Sequence, residues 1–173
     1  MFDVRVYGSA VLRRKARPVE AFDAGFAQFV EELTETMYAK DGVGLAAPQA
    51  GKSLRVAVID TTSREQPPFV LVNPQITWSS PEQEDYEEGC LSVPDIHLTV
   101  KRPSRVSVRA QNAQGVEYVI ENASGLLARA LQHEIDHLDG ILFVDRVSPL
   151  QRQLIDAKLK KMARESRGTG SGA

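Results

Sequence analysis

The chain has 173 residues, of which 42% are hydrophobic and 25% charged, and its formal net charge is −2. This length predicts one domain with a buried core, and the charge balance excludes a globally basic nucleic-acid-binding protein. No apolar run approaches the roughly 20 residues that cross a bilayer, and residues 1–14 hold no apolar signal region, so we expect a cytoplasmic protein without a membrane partner.

The first part of the chain predicts one helix followed by short strands. Apolar residues recur at helical spacing over residues 26–39, and Asp23 is suited to cap that helix. A loop of small, apolar residues follows at 42–49. Apolar runs predict strands at 54–60, 69–72 and 75–78, the last two separated by Asn73-Pro74.

The middle of the chain predicts further strands. An acidic stretch at 82–88 precedes two short predicted strands, 91–93 and 98–100, with Pro94-Asp95 as the turn between them. Period-two alternation at 105–110 and at 116–120 predicts a hairpin.

The last part of the chain predicts two more helices. Ser124 is expected to cap a helix over 125–138, with Gly140 just beyond its end. A last short strand is predicted at 141–144. Ser148 and Pro149 predict the start of a third helix that reaches about residue 165. The small, polar residues 166–173 are expected to form a disordered tail.

The segment His133-Glu134-Ile135-Asp136-His137 is the most informative motif. Residues four apart share one face of a helix, so both imidazoles can reach one metal ion. Glu134 lies where it can handle the proton of a water molecule at that metal. The chain has three histidines, and two of them are here. A catalytic metal site on the second helix is therefore predicted.

A third metal ligand is expected from elsewhere in the chain, because catalytic sites of this kind use three protein ligands. Cys90 is the natural candidate, and Gly89 before it permits close approach of the backbone. A thiolate suits Fe²⁺, Zn²⁺, Co²⁺ or Ni²⁺. A lone cysteine can also be a buried spectator or a nucleophile.

The predicted fold class is α+β. Mixed or antiparallel sheets pack around a central metal-binding helix, with one N-terminal and one C-terminal helix. One catalytic domain is expected to span residues 1–165.

Three motifs lie at residues 42–49 (G-V-G-L-A-A-P-Q), 88–92 (E-G-C-L-S) and 132–137 (Q-H-E-I-D-H). They resemble those of the peptide deformylases, which remove the N-formyl group from the formyl-methionine of new polypeptides. Their order and spacing also fit that family, and the resemblance extends from Val6 to about Met162.

The resemblance implies a role for each motif residue. Cys90, His133 and His137 would bind the metal, and Glu134 would be the general acid and base. Gln49 and the backbone N–H of Leu91 would stabilise the oxyanion. The metal implied is Fe²⁺, with Zn²⁺, Ni²⁺ or Co²⁺ as substitutes.

The resemblance also implies a substrate site for nascent formyl-methionyl peptides. Gly44 and Gly89 would contribute backbone contacts. The residues that would line the methionine pocket are Val43, Tyr86, Glu88, Arg129, Ala130 and His133. Arg129 departs from the apolar residue of some members, and its aliphatic stem is expected to line the pocket while its guanidinium reaches water. His97 stands where some members carry arginine.

Two further interactions are weighed from the sequence. Glu88 and Arg102 are expected to pair, either as support for Cys90 or as an ordinary surface ion pair. The third helix carries basic residues that suit the ribosome, by resemblance to some family members, or that are simply a solvated face. Its basic residues are Arg152, Lys158, Lys160, Lys161 and Arg164.

Two other functions remain open. A zincin-like metallopeptidase shares the H-E-x-x-H motif, although its third ligand does not come from an upstream cysteine motif. A non-catalytic binding protein could hold a structural metal, but such sites usually close all four positions with protein ligands.

Overall fold

The computed structural model describes residues 1–169 and has an α+β fold, as predicted. The described residues form three α-helices and seven strands. The helices are α1 (Ala24–Ala39), α2 (Gly125–Leu138) and α3 (Pro149–Thr169). The strands are β1 (Gly44–Ala46), β2 (Val56–Ile59), β3 (Phe69–Ser79), β4 (Gln83–Cys90), β5 (Val93–Pro103), β6 (Val106–Gln111) and β7 (Glu117–Ala123).

The strands form two separate antiparallel sheets. One has five strands in the order β1-β2-β3-β6-β7, which leaves β1 at one edge. The other is a two-stranded ribbon of β4 and β5. Leu91 and Ser92 form the turn of the ribbon, so Cys90 is the last residue of β4.

Helix α2 lies between these sheets. Its apolar residues Leu131 and Ile135 pack with Val108 and other residues of the five-stranded sheet. The ribbon instead shares an apolar cluster with α3 and with the short 3₁₀ helix Phe143–Asp145. This arrangement places α2 at the centre of the domain, with the ribbon on its polar side.

The helices agree closely with the sequence-based expectation. Helix α2 has the predicted bounds. The carboxylate of Asp23 accepts a hydrogen bond from the backbone N–H of Phe26 (2.9 Å), which confirms it as the cap of α1. Ser124 occupies the N-cap position of α2, but its side chain makes no capping hydrogen bond. Helix α3 continues four residues beyond the predicted 165, and residues 170–173 of the predicted tail lie outside the described residues.

Several predicted strands differ from the observed ones. The Asn73-Pro74 pair does not separate two strands, because β3 runs through it with a shift of register. Asn73 has a positive φ of 49° there, and its amide binds the backbone of Val19. The small-residue loop at 42–49 contains strand β1 and a 3₁₀ turn, Ala47–Ala50.

The largest errors concern the ribbon and the segment after α2. The acidic stretch is part of strand β4, and the two short strands predicted after it are one strand, β5. Pro94-Asp95 therefore lies within β5 and is not a turn. The predicted strand at 141–144 is also wrong, since this segment leads into the 3₁₀ helix. Within residues 1–169, no helix is both long and apolar enough to span a membrane.

Candidate metal centre

Three predicted ligands converge where the ribbon meets α2. The ligand atoms of Cys90, His133 and His137 all lie within 4.8 Å of one another. The Sγ of Cys90 is 3.4 Å from Nε2 of His137. Cys90 and His133 are half-buried and His137 is buried. One ligand thus comes from the end of β4 and two come from one face of a helix, as the i, i+4 spacing requires.

The donor set suits a divalent transition metal. The Nδ1 of His133 lies 2.9 Å from Oε1 of Glu88, so Nε2 is the ring nitrogen left to bind a metal. One sulfur and two imidazoles are donors that zinc, iron and cobalt accept, and three protein ligands leave a position open for substrate or water. The residues present therefore fit a catalytic metal.

The surroundings of the two histidines shift their pKa values in opposite directions. Burial raises the pKa of Glu88, but hydrogen bonds from His133 and Arg102 outweigh it and lower that pKa to about 2. Glu88 is thus ionised and accepts the N–H of the His133 ring. Burial lowers the pKa of His137 well below its usual range, so this imidazole is neutral and free to bind a metal. Burial also lowers the pKa of His133, but hydrogen bonds to Cys90 and Glu88 raise it to about 10, and a metal must displace that proton.

Glu134 points into the same site. Only 4% of it is exposed, and its Oε2 has no hydrogen-bond partner among the described residues. Burial raises its pKa to about 7, close to the value that lets a carboxyl group accept and return a proton at neutral pH. A Cβ on Gly44 would lie 2.5 Å from Oε1 of Glu134, so only glycine fits opposite this carboxylate.

Gln49 is fixed beside the metal ligands. It is buried in the 3₁₀ turn that follows β1, and its Oε1 accepts the backbone N–H of Ala46 (2.9 Å). Its Nε2 donates to Oγ of Ser92 (3.1 Å) and lies 3.5 Å from Sγ of Cys90. Ser92 also donates its backbone N–H to that sulfur (3.4 Å). Sequence reasoning gave Ser92 no role, although it stands in the same motif as Cys90.

A cavity of about 450 Å³ opens onto Cys90 and His133. It is lined by every residue predicted for the substrate and oxyanion sites. These residues are Val43, Gly44, Gln49, Tyr86, Glu88, Gly89, Leu91, Arg129 and Ala130. His97, which stands where some family members carry arginine, also lines the cavity. Leu126, Pro94 and Asp95 line it too and were not predicted to do so. A larger groove of about 650 Å³ lies beside α1, but none of the three ligands lines it.

The prediction for the Arg129 guanidinium is wrong. Arg129 is 6% exposed, and its guanidinium does not reach water. It donates to Oε2 of Glu88 (3.0 Å), to the carbonyl of Val100 (2.8 Å) and to the carbonyl of Glu84 (2.8 Å). Arg129 lies one helical turn before His133, so the same carboxylate serves both residues. The i, i+4 spacing places both side chains on one face of α2, but it does not indicate that a carboxylate of the ribbon binds them.

Glu88 and Arg102 form the expected pair, and it is buried. Nε and Nη2 of Arg102 donate to the two carboxylate oxygens at 2.7 and 3.0 Å. Nη1 of Arg102 donates to Oδ2 of Asp136 (2.8 Å), so Asp136 holds a neighbour and does not face solvent. Arg146 binds Asp136 from the other side. An ordinary surface ion pair is thereby excluded.

Comparison with known proteins decides the family. Residues 1–153 match the model of the family described as polypeptide deformylase. The chain belongs to this family. Over 168 residues it is 47% identical to the peptide deformylase of Thermotoga neapolitana. The aligned part covers 97% of this chain and all of the relative.

Solved deformylase structures have the same fold. The enzyme from Legionella pneumophila has a TM-score of 0.88 at 43% identity, over 96% of this chain and 98% of that one. Peptide deformylase 1B from Arabidopsis thaliana has a TM-score of 0.92 at 33% identity, over 99% of this chain and 95% of that one. The resemblance stated from three motifs is confirmed, and with it the activity of a hydrolase that removes the N-formyl group. Membership of this family implies a catalytic metal, and Cys90, His133 and His137 form a possible site for it.

Proposed function

We propose that this deformylase hydrolyses the N-formyl group of nascent formyl-methionyl peptides at the centre formed by Cys90, His133 and His137, and that Glu134 moves the proton. One observation carries this assignment. The three ligand atoms lie within 4.8 Å of one another, and Glu134, whose buried Oε2 has no hydrogen-bond partner within residues 1–169, lines the same cavity. The products are formate and a free N-terminal methionine.

The metal would be held by the Cys90 sulfur and by Nε2 of each histidine. When bound, a divalent ion supplies a Lewis acid that makes water a nucleophile at neutral pH and polarises the formyl oxygen. We propose Fe²⁺ as the native ion, with Zn²⁺, Ni²⁺ or Co²⁺ as substitutes, because one soft thiolate beside two imidazoles suits all four. Metal analysis of anaerobically purified protein tests the identity of the ion.

Glu134 is assigned both proton transfers. Its carboxylate accepts a proton from the attacking water and later delivers that proton to the leaving amine. Burial has raised its pKa to about 7, so that neither the acceptance nor the return of the proton is strongly uphill near neutral pH. The close contact with Gly44 fixes the carboxylate against the edge strand where a substrate would lie.

Gln49 and the backbone N–H of Leu91 are assigned to the oxyanion of the tetrahedral intermediate. Donors aimed at developing charge contribute about 3 kcal/mol each. The Gln49 amide is already oriented by Ala46 through its oxygen, with its NH₂ beside Cys90. Its two N–H groups now serve Ser92 and Cys90, so one of them must turn to the oxyanion during the reaction.

The peptide is expected to lie along β1. This strand is at an edge of the five-stranded sheet, so an extended peptide can add to it as a further strand. Gly44 and Gly89 would contribute backbone contacts on the two sides of the cavity. The methionine side chain would then enter the space lined by Val43, Tyr86 and Ala130.

Formate release from formyl-Met-Ala-Ser tests the proposal directly, with casein cleavage as the control. We expect formate and no casein cleavage. Casein cleavage without formate would favour a zincin-like peptidase, and neither activity in metal-loaded protein would favour a structural metal. Replacement of the ligand by Cys90→Ser should reduce bound metal and formate release together.

We further propose that α3 docks on the ribosome and that the protein acts in the cytoplasm, where formylated chains are made. Lys158, Lys161 and Arg164 are exposed on this helix, whereas Ile155 and Leu159 are buried and anchor it to the domain. Deletion of the helix would therefore damage the core. Reversal of the three exposed charges to glutamate leaves that anchor intact and should abolish cosedimentation with ribosomes; unchanged cosedimentation would contradict the docking.

A further inference from the structure

The contact between α2 and the β4–β5 ribbon is made by polar side chains. Arg129, Gln132, His133 and Asp136 of α2 have the spacing i, i+3, i+4 and i+7, which places them on one face of the helix. Gln132 donates to the carbonyl of Pro103 (3.0 Å). The other three bind Glu88 or Arg102, or both strands of the ribbon. We call this set of contacts the polar seam; it comprises Arg129, Gln132, His133 and Asp136 of α2 with Glu88 and Arg102 of the ribbon.

The polar seam crosses the junction that the metal centre also crosses. Cys90 belongs to the ribbon, whereas His133 and His137 belong to α2. The distance between sulfur and imidazoles therefore depends on how the ribbon sits against the helix. Any residue that fixes this placement also fixes the geometry offered to a metal.

Apolar packing does not supply that placement directly. The buried apolar residues of α2 cluster with the five-stranded sheet. Those of the ribbon, such as Val93 and Val100, cluster with α3 and the 3₁₀ helix. The ring contacts of α2 on this side are those of His133 with Phe143 of the 3₁₀ helix, whose centroids are 6.0 Å apart, and of the Arg129 guanidinium with Tyr86 of β4. Directed hydrogen bonds of the polar seam must therefore hold the ribbon to the helix.

Arg129 makes the widest set of contacts in the polar seam. Its guanidinium reaches β4 through the carbonyl of Glu84, β5 through the carbonyl of Val100, and the carboxylate of Glu88. That carboxylate in turn accepts Nδ1–H of His133 through its other oxygen. Both groups are buried, at 6% exposure for Arg129 and 5% for Glu88, where such bonds are strong and costly to lose.

We propose that Arg129 is a positioning residue for the metal centre. It holds the ribbon at the distance from α2 that brings Cys90 to the histidines, and it fixes Glu88 so that the His133 ring presents Nε2. Arg129 acts through Glu88 and the ribbon backbone and does not touch the reacting atoms. The proposal rests on the ligand set proposed above. The competing explanation is that Arg129 is only a wall of the methionine pocket, where it lies against Tyr86 (5.5 Å from guanidinium carbon to ring centroid).

The test uses Arg129→Met, which keeps an unbranched stem in the pocket and removes the donors, and Arg129→Lys, which restores a cation. Each purified protein is loaded with Co²⁺. The visible absorption, including the thiolate-to-cobalt band, and the rate of metal loss to a chelator are measured alongside kcat and KM. Val43→Ala serves as the control for the pocket wall, and Arg109→Met, an exposed arginine on β6, as the control for loss of an arginine.

We expect Arg129→Met to lose cobalt about 10- to 100-fold faster than the wild type, with a shifted thiolate band. The rate of cobalt loss from Arg129→Lys should lie between those of the wild type and Arg129→Met, because an ammonium group cannot reproduce the planar guanidinium fork. Val43→Ala should change KM alone, and Arg109→Met should change nothing.

A wild-type band and a wild-type release rate in Arg129→Met, with only KM altered, would overturn the proposal and leave Arg129 as a pocket wall. If Arg129→Met does not fold, the release rate of Arg129→Lys decides: faster loss supports the proposal, and unchanged loss overturns it. Absence of the thiolate band in the wild-type protein would instead overturn the ligand set itself, whatever the variants do.

Discussion

The two faces of α2 are held in opposite ways. Towards the five-stranded sheet, Leu131 and Ile135 contribute apolar packing, which is strong but has no direction. Towards the ribbon, Arg129 and Asp136 make buried hydrogen bonds and ion pairs, which are directional. The difference suggests a division of labour in which one face supplies stability and the other sets the positions of the ligands.

The largest effect is expected for Glu134→Ala, which removes the proposed general acid and base and leaves the contacts on both faces of α2 in place. Turnover on formyl-Met-Ala-Ser should fall about 10²- to 10⁴-fold, the usual contribution of a general acid and base. Bound metal and the unfolding midpoint should hardly change, because Oε2 of Glu134 has no partner to lose among the described residues. Formate release, metal analysis and thermal unfolding measure the three quantities. Near-normal turnover would remove Glu134 from its role.

The next largest effect is expected for Leu131→Ala, on the apolar face of α2. Leu131 is fully buried, so Leu131→Ala should lower the free energy of unfolding by about 2–5 kcal/mol. Urea unfolding measures this change. In conditions where the variant is folded, its metal release rate should match that of the wild type. Rapid loss of metal from folded Leu131→Ala would show that the two faces are not independent.

Glu88→Gln breaks the polar face. An amide keeps the shape of the side chain but loses the charge that fixes His133 and both arginines, so metal release should become about 10- to 100-fold faster. Glu84→Gln is the matched control, since its side chain is exposed on the same strand and only its backbone carbonyl binds Arg129. Equal release rates in the two variants would contradict the division of labour.

The smallest effect is expected for Asp60→Asn, a substitution away from both faces of α2. Asp60 accepts hydrogen bonds from Tyr38 (2.6 Å) and Thr62 (2.7 Å), which lower its pKa from 3.8 to about 2. A lowered pKa stabilises the fold above about pH 4, and this contribution is lost as the pH falls towards 2. Asp60→Asn should cost about 1 kcal/mol at pH 7 and less at pH 3. Urea unfolding at both pH values checks it; an equal cost at both would contradict the assignment. Metal release at pH 7 should be unaffected.

The sequence predicted the parts of the fold whose signals are local. Helix α2 was found with its bounds because its apolar stripe is regular and because Ser124 and Gly140 flank it. Asp23 was recognised as a cap because capping involves only the residues next to it. The hairpin of β6 and β7 follows from alternation and a short turn. The family, the metal ligands and Glu134 were all proposed from motifs alone.

Strand β4 was missed and β5 was predicted only in part, because the buried side of the ribbon is partly charged. Glu88 and Arg102 occupy positions where an apolar residue would have marked a strand, and their burial depends on each other and on Arg129. The burial of the Arg129 guanidinium could not be predicted, because it also depends on partners in the ribbon. A guanidinium is expected in water unless its acceptors are known, and two of its three acceptors are backbone carbonyls of the ribbon.

The short apolar run after α2 shows another limit. A run of four apolar residues fits a strand or a turn of helix equally well, and the sequence alone does not decide. Here the carboxylate of Asp145 accepts the backbone N–H of Leu142 (2.9 Å) and also binds Arg13 and Arg152. These contacts bring together residues that are far apart in the chain, and they close the segment into a 3₁₀ helix.

Cys90 is the chain's single cysteine, and it lies at the proposed metal centre. Every reaction of a thiol reagent with this protein is therefore a reaction at that site, with no background from another thiol. Cys90 is half-buried, and it should react freely in metal-free protein and slowly in the loaded form. A colorimetric thiol titration would then measure the fraction of protein molecules without bound metal in any preparation.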